Sequence, residues 1–495
     1  MLSWNTIIVL ASIAILIYFY FTRNFNYWRN RGVPYMKPTF FFGNMIQLLT
    51  ECETAGKSMA KFYDSFKGPY FGFFALNTPQ LVLRDPQLIR NVLIKDFQKF
   101  QNRPFYSNPK IDPIASNTLF AIKQPEWRPL RAKLSPVFTS GKMKMMFHLM
   151  NDCGKNLKNY IDKIVGRDDV ESKELTAKYT TDLIATCAFG IDANSFVVEN
   201  SEFRVAGRQI FERSFLGILQ SICYFFAPIF VKIFRFTFID QQAAAFLRGV
   251  FTDTIRQRET LKNRRNDLVD ILIDLKKQET KDDEFKFNED RLVAQAIVFF
   301  GAGHETTSST IAFTLHELCV NVGIQERLRK EIVDVIKKHG ELTYEAVQDM
   351  KYLDMVVAET LRKYPLTPLI QRLCEENYYI PETGLTLEKG TAVLIPQHGL
   401  HWDPKYFPNP EKFDPERFSD ENKHKIQSYV YLPFGDGPRN CIGERFGLLS
   451  SKLGIIHIIQ NFRVEKNHHT QEPLQFSRSP LLRAKNGIRV TFQSL

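Results

Sequence analysis

The sequence has no C-x-x-C pair, no HExxH run and no G-x-G-x-x-G between a strand and a helix. Its seven cysteines (52, 153, 187, 223, 319, 374 and 441) are odd in number and widely spaced, which argues against a disulfide framework and for a reducing compartment. Without an HExxH run or carboxylate company, His398, His401, His468 and His469 do not suggest zinc. Without the glycine-rich run no flavin or nicotinamide segment is legible. No Ser/Gly-rich linker, low-complexity tract or internal repeat divides the chain after about residue 45, so the 495 residues read as one large domain rather than two or three. The net charge of +11 suits an anionic membrane surface or an acidic protein partner. The basic residues are dispersed, with no zinc-finger spacing or RNA-binding signature, which argues against nucleic acid.

Two long features stand out against these absences. From Trp4 to Phe21 the chain is almost wholly apolar. As a helix that run spans roughly 27 Å at 1.5 Å per residue, close to the thickness of an endoplasmic reticulum bilayer. It predicts one N-terminal transmembrane anchor over 1–22, a basic and proline-bearing linker over 23–43, and a catalytic domain over 44–495. A cleavable signal peptide is the rival, but no Lys or Arg precedes the run, which is longer than a typical signal core. Arg23, Arg29, Arg31 and Lys37 follow it, placing the N-terminus in the lumen and the rest in the cytosol. Beyond the anchor the chain reads as mainly α with small β-sheets. Ile324, Leu328, Ile332 and Val335 keep helical spacing up to Gly340, and Thr343 caps the next helix. Strand signals lie at Gly390–Ile395 and over Leu481–Phe492, around the hairpin-type dipeptide Asn486-Gly487.

The densest chemistry is in Phe434-Gly435-Asp436-Gly437-Pro438-Arg439-Asn440-Cys441-Ile442-Gly443. Three glycines allow positive φ and close approach of backbone to a flat macrocycle. The run after Cys441 reads as a helix start, where the macrodipole and free N–H groups favour a thiolate. Arg439 suits a haem propionate and Phe434 suits a cover for the sulfur; the alternative for one such cysteine is a buried, inert thiol. A second motif, Ala302-Gly303-His304-Glu305-Thr306-Thr307, sits in an apolar helix over about 291–320. Its small residues let the helix bulge into a groove, while Glu305 and Thr306 put an acid beside a hydroxyl, a pair suited to moving protons. The alternative is a kink whose threonine bonds back to its own helix. Glu359-Thr360-Leu361-Arg362 is a weak signal, since an i, i+3 pair is usually a solvated bridge.

The cysteine loop resembles the haem-binding signature of the cytochrome P450 family, F-x-x-G-x-R-x-C-x-G, and every fixed position matches. Ala302–Thr306 is similar to that family's distal-helix signature, and Trp127-Arg128-Pro129-Leu130-Arg131 to its W-x-x-x-R. The likeness covers nearly the whole chain, and the segments Leu134–Lys144 and Trp28–Pro34 resemble microsomal members, including insect xenobiotic-metabolising ones. It implies an α-rich fold with haem b between two long helices and Cys441 as the axial thiolate. It also implies propionate contacts from Trp127, Arg131, Arg372 and Arg439, with Phe434 and Gly443 beside the haem. Glu359, Arg362 and Arg417 would form a structural lock. The implied activity is a membrane-bound monooxygenase that takes electrons from NADPH–cytochrome P450 reductase, with cytochrome b5 as a second donor. Lys142, Lys144 and Arg445 are candidate docking charges. Lipophilic xenobiotics, insecticides or plant toxins lead as substrates, steroid or juvenoid hydroxylation comes second, and a haem-thiolate isomerase or a haem-free membrane binding protein are rivals. Phe105, Tyr106, Phe211, Phe215, Phe299 and Phe476 are candidate pocket aromatics, and residues 103–123 a candidate lid.

Overall fold

An apolar run at helical spacing must bury its stripe, and here one long helix supplies the axis around which the others gather. In the computed structural model, which describes residues 3–50, 54–261, 265, 267–280, 283–477, 479 and 481–495, that helix runs from Glu289 to Val320. Asn288 caps it by accepting from the Arg291 N–H at 2.8 Å, with Glu289 and Asp290 in its positively polarised first turn. We call it the groove helix. It packs against the helices Ser172–Ile184 and Glu444–Ile459, with its middle buried from Gly301 to Cys319 apart from a short stretch around Ala302. A Cβ on Gly303 would stand 2.5 Å from Ile184 Cδ1, so any larger residue here would have to displace the end of that side chain.

The strands are few: β1 (Tyr70–Ala75), β2 (Thr78–Leu83), β3 (Val170–Glu171), β4 (Leu369–Leu373), β5 (Tyr378–Ile380), β6 (Leu385–Leu387), β7 (Ala392–Pro396), β8 (Phe462–Glu465) and β9 (Arg489–Ser494). A four-stranded sheet has the order β1-β2-β7-β4 and sets Arg372 opposite Val393. The strand expected at Gly390–Ile395 is therefore β7. The expected helix at Ile324–Val335 is Val322–His339, followed by Gly340 at φ +82°, and Thr343 caps the next helix through the Ala346 N–H.

The tail departs from the hairpin expected at Asn486-Gly487. Gly487 does turn, with φ +73°, but β9 pairs antiparallel with β8, far back in the chain, and through two residues with β3. Burial decides this: Val490 and Phe492 on β9 close over Phe462 and Val464 on β8.

The anchor is the helix Trp4–Thr22, capped by Ser3 and with no buried side chain. Residues 23–43, expected as a linker, lie against the first sheet. Trp28 is fully buried and donates to Phe73 O at 3.3 Å, and the Gly72 N–H donates to Pro34 O at 2.7 Å.

Candidate active site

The chain reverses tightly between Leu432 and the helix Glu444–Ile459. The Gly435 N–H donates to Leu432 O at 3.1 Å, the Asn440 N–H to Gly437 O at 3.0 Å and the Cys441 N–H to Phe434 O at 2.8 Å. Gly437, at φ +72°, presses on a neighbouring segment so closely that a Cβ would meet Leu93 O at 2.0 Å. Gly443, expected to use positive φ, instead sits at φ −90° as the N-cap of the helix, so its lack of a side chain leaves space rather than a turn. Cys441 thus stands just before a helix N-terminus. Among the described residues six cysteines are free thiols, of which five are buried and Cys441 alone is exposed; Cys52 lies outside the described residues.

The thiol does not follow the helix-dipole expectation in the protein alone. Part of Cys441 is accessible, yet protein crowds the thiol on its other sides, and that desolvation raises its pKa above the ordinary value. The Gly443 N–H and the charges of Arg131 and Arg103 oppose that rise. A metal cation at the sulfur reverses the balance and deprotonates it.

Four arginines from four parts of the chain surround this loop. Arg131, on the helix Trp127–Leu134, donates to Asn440 O at 3.0 Å and to Asn440 Oδ1 at 2.8 Å. Arg439 lies 4.2 Å over the Trp127 ring and donates to Ile122 O at 3.1 Å and Asn102 Oδ1 at 3.2 Å. Arg103 donates to Arg439 O at 3.2 Å, and Arg372 on β4 donates to Gln371 O at 2.9 Å. Trp127 is therefore a cation–π platform for Arg439 rather than a partner of Arg131 on its own helix.

Among the described residues no carboxylate is ion-paired with any of the four. Glu375, whose charge Arg439 feels, is bonded to Asn102 Nδ2 instead. Two nitrogens of Arg372 (Nε, Nη2) and two of Arg439 (Nε, Nη1) are buried without a partner. Burial first, then mutual repulsion, pulls Arg439 down to about 8, Arg372 to about 9 and Arg103 to about 10. A cradle of buried guanidinium groups with unspent donors calls for a dianionic ligand with forked acceptors. Two propionates on a flat macrocycle ligated by Cys441 meet that demand, so haem b fits the residues present. Arg103 was not legible as a site residue; its signal was only a charged residue before Pro104 in a turn-rich stretch.

The groove helix passes through its signature without a break, so the expected bulge does not form. Thr306 Oγ1 donates to Ala302 O at 2.6 Å, the back-bonded arrangement. Ala302 is nevertheless exposed between buried neighbours, so a groove does open over this face. Glu305 is buried and turned to Lys173, Nζ to Oε2 at 2.9 Å. His304 faces the helix Glu202–Phe211.

The expected lock is present and dry. Arg362 donates to both oxygens of Glu359 at 2.8 Å and to His401 O at 3.1 Å, with both side chains at 0 % exposure. The Asp414 N–H donates to Glu359 Oε1 at 2.9 Å, and Arg417 Nε approaches the same oxygen at 3.4 Å while its Nη2 donates to Asn409 O. Of the candidate docking charges, Lys144 is paired with Glu345, Lys142 is half-buried and Arg445 is exposed.

The candidate pocket aromatics fall in separate places. Phe105 and Tyr106 pack on Tyr224, Phe211 stacks on His304, Phe299 meets Phe138 and Phe476 meets Tyr364. The Phe215 side chain lies outside the described residues.

Comparison with known proteins agrees with this geometry. A family model described as Cytochrome P450 matches residues 33–492. The chain is 42 % identical to cytochrome P450 6k1 of Blattella germanica, covering 99 % of this chain and 97 % of that protein. It is 40 % identical to probable cytochrome P450 6a13 of Drosophila melanogaster, covering 99 % of each. It is 38 % identical to cytochrome P450 9e2 of Blattella germanica, covering 96 % of this chain and 95 % of that protein.

Proposed function

The chain belongs to the cytochrome P450 family, a haem b monooxygenase with an axial cysteine thiolate, and on that premise we propose that it oxidises lipophilic small molecules at a membrane surface. The observation that carries the reading is the exposed Cys441 beside four arginines that, among the described residues, have no carboxylate in an ion pair with them. When bound, the haem iron supplies dioxygen activation and oxygen transfer.

The residues of the chain do the rest. Cys441 would bind the iron through its sulfur. Arg103, Arg131, Arg372 and Arg439 would hold the propionates, with Trp127 stacked on Arg439. Phe434 and Gly443 would line the macrocycle, and the buried cluster of Glu359, Arg362 and Arg417 supports that side of the molecule. On the distal side the Thr306 hydroxyl, here held by Ala302 O, would turn to the groove, and Glu305, here held by Lys173, would supply the proton. Electrons come from NADPH–cytochrome P450 reductase, with cytochrome b5 as a second donor.

We place the protein in the endoplasmic reticulum membrane with its catalytic domain in the cytosol. Two features support a membrane-facing side. The end of the anchor meets the following chain through Tyr18–Phe40 and Phe21–Phe41, at 5.5 and 4.5 Å between rings. The helices Phe215–Phe226 and Pro228–Phe234 also leave Leu216, Leu219, Ile229, Ile233 and Phe234 exposed. That setting and the likeness to insect members of the family support a lipophilic substrate class, with plant toxins and insecticides foremost.

Reduced protein with carbon monoxide should give the thiolate-type difference spectrum, and reductase with NADPH should then support oxygenation of a lipophilic substrate found by its spin-state change. A spectrum of nitrogen-ligated haem would end this reading. Thiolate ligation with turnover independent of the reductase would mark an isomerase instead.

A further inference from the structure

His304 is a polar side chain that the packing around it does not satisfy. It is 1 % exposed, and neither ring nitrogen has a hydrogen-bond partner. Its ring stacks on Phe211 and Phe300, at 6.3 and 5.8 Å between centroids and within 20° of parallel. Gly207 of the helix Glu202–Phe211 comes so close that a Cβ there would stand 3.3 Å from Cε1 and Nε2. Desolvation, then the Lys173 and Arg204 charges, pushes the imidazole well below the ordinary histidine range and keeps it neutral; the Ala177 backbone lies near enough to oppose this in part but does not complete a hydrogen bond to either ring nitrogen. Two unpaired buried nitrogens are costly, so a partner is called for.

The candidate partner is its chain neighbour. His304 Nδ1 lies 3.9 Å from Glu305 Oε2, and closing to a hydrogen bond needs about 1 Å of side-chain movement. Glu305 is held from the other side: Lys173 Nζ stands 2.9 Å from Oε2 and also donates to Ser308 Oγ at 2.7 Å. Ser308 Oγ in turn donates to His304 O at 2.8 Å. The next residue, Glu174, is bound by Arg204 and Arg208 of the helix against which His304 rests. The charged groups facing this pair are therefore Lys173 and Arg204, with Glu174 and Arg208 behind them.

We propose that His304 is a positioning residue for Glu305, its Nδ1 accepting the carboxyl O–H whenever Glu305 carries a proton, while Lys173 holds the same group when it is ionised. Chemistry divides the two seats. An ammonium only donates, so it satisfies a carboxylate and cannot accept from a carboxylic acid. A neutral imidazole accepts at one nitrogen while remaining uncharged, and Ser308 Oγ is already engaged. Two seats let a buried acid gain and lose a proton without stranding either form. This rests on the proposed role of Glu305 as a proton source.

The test is an infrared titration of the resting, haem-loaded full chain, with the protonated-carboxyl band of Glu305 assigned by its disappearance in Glu305→Gln. His304→Phe keeps the stack on Phe211 and Phe300 but removes the acceptor. It should lower the midpoint of Glu305 protonation by about one unit, a tenfold weaker hold on the proton. In turnover the same variant should release several-fold more hydrogen peroxide per NADPH. His304→Asn, whose amide oxygen can occupy the place of Nδ1, should recover most of both effects, and Lys173→Met should move the midpoint up. Should the phenylalanine variant fail to take up haem, His304→Leu carries the same expectation. An unchanged or raised midpoint in His304→Phe, or an asparagine variant no better than phenylalanine, overturns the proposal. The titration needs no turnover, so the expected shifts in a protein without oxygenase activity would sink the proton-source role and leave the two seats standing.

Discussion

Arg362 and Arg372 stand ten residues apart in the sequence, both essentially inaccessible at 0 % and 1 % exposure, and their surroundings are opposite. Arg362 spends its donors on Glu359, His401 O and Lys412 O. Arg372 keeps two nitrogens without a partner and feels the repulsion of Arg103. One cluster is complete in the polypeptide itself, while the other is finished only by an anion from outside. Burial of charge is therefore no guide to role; what separates a structural cluster from a binding cluster is whether the donors are spent.

The comparison can be broken at four points. Cys441→Ala should abolish the thiolate-type carbon monoxide spectrum entirely while leaving the Glu359 cluster and the unfolding stability of the haem-free protein within about 1 kcal/mol of the parent. A comparable fall in haem-free stability would show that the two regions are not separable.

Glu359→Gln should do the reverse. It strands Arg362 in the interior and should cost about 3–5 kcal/mol in denaturant unfolding. A loss below about 1 kcal/mol would remove the lock from the account.

Arg372→Met should weaken haem retention roughly tenfold, about 1.4 kcal/mol, read by haem transfer to a scavenger protein. The haem-free form should be unchanged or more stable, because an uncompensated buried charge has been removed.

The fourth effect is in pH. Burial first, then the Arg362 charge, lowers His401 to about 3, and its Nε2 accepts the Leu432 N–H. Below about pH 6.5 the unfolded chain binds a proton that the folded one refuses until about pH 3. Stability is thus lost as pH falls through that window, by about 1.4 kcal/mol per pH unit for this group. His401→Gln keeps an acceptor for Leu432 and should flatten that share of the acid limb in a pH series of thermal melts.

What the sequence disclosed were features whose cause lies within a few residues. Gly437, Arg439, Cys441 and the helix start at Glu444 form one loop, and the Glu359–Arg362 pair is one helical turn. Thr343 caps its helix with its own side-chain oxygen, and Gly340 ends one with its own backbone. Three things escaped because distant chain decides them. Arg103 joins the cradle only when residues near 103, 131, 372 and 439 meet, and nothing local in Asn102-Arg103-Pro104 announces it. β9 prefers β8 because Phe462 and Val464 offer its apolar side chains a buried face that a local hairpin at Asn486 lacks. Ala302–Gly303 suggested a bulge, yet the helix stays regular, with Gly303 leaving room for the Ile184 side chain and Thr306 capping the Ala302 carbonyl.

Trp28 carries a last consequence. Only five residues separate it from the end of the anchor helix, and it is wedged under β1 and fully enclosed. The apolar helix Trp4–Thr22 and the body are thus moored on a short line, leaving little slack for the body to swivel. If that helix is set in a bilayer as proposed, the length of the line should set how steeply the body tilts over the lipid. Inserting flexible residues between Thr22 and Trp28 would let the body wander without touching its chemistry.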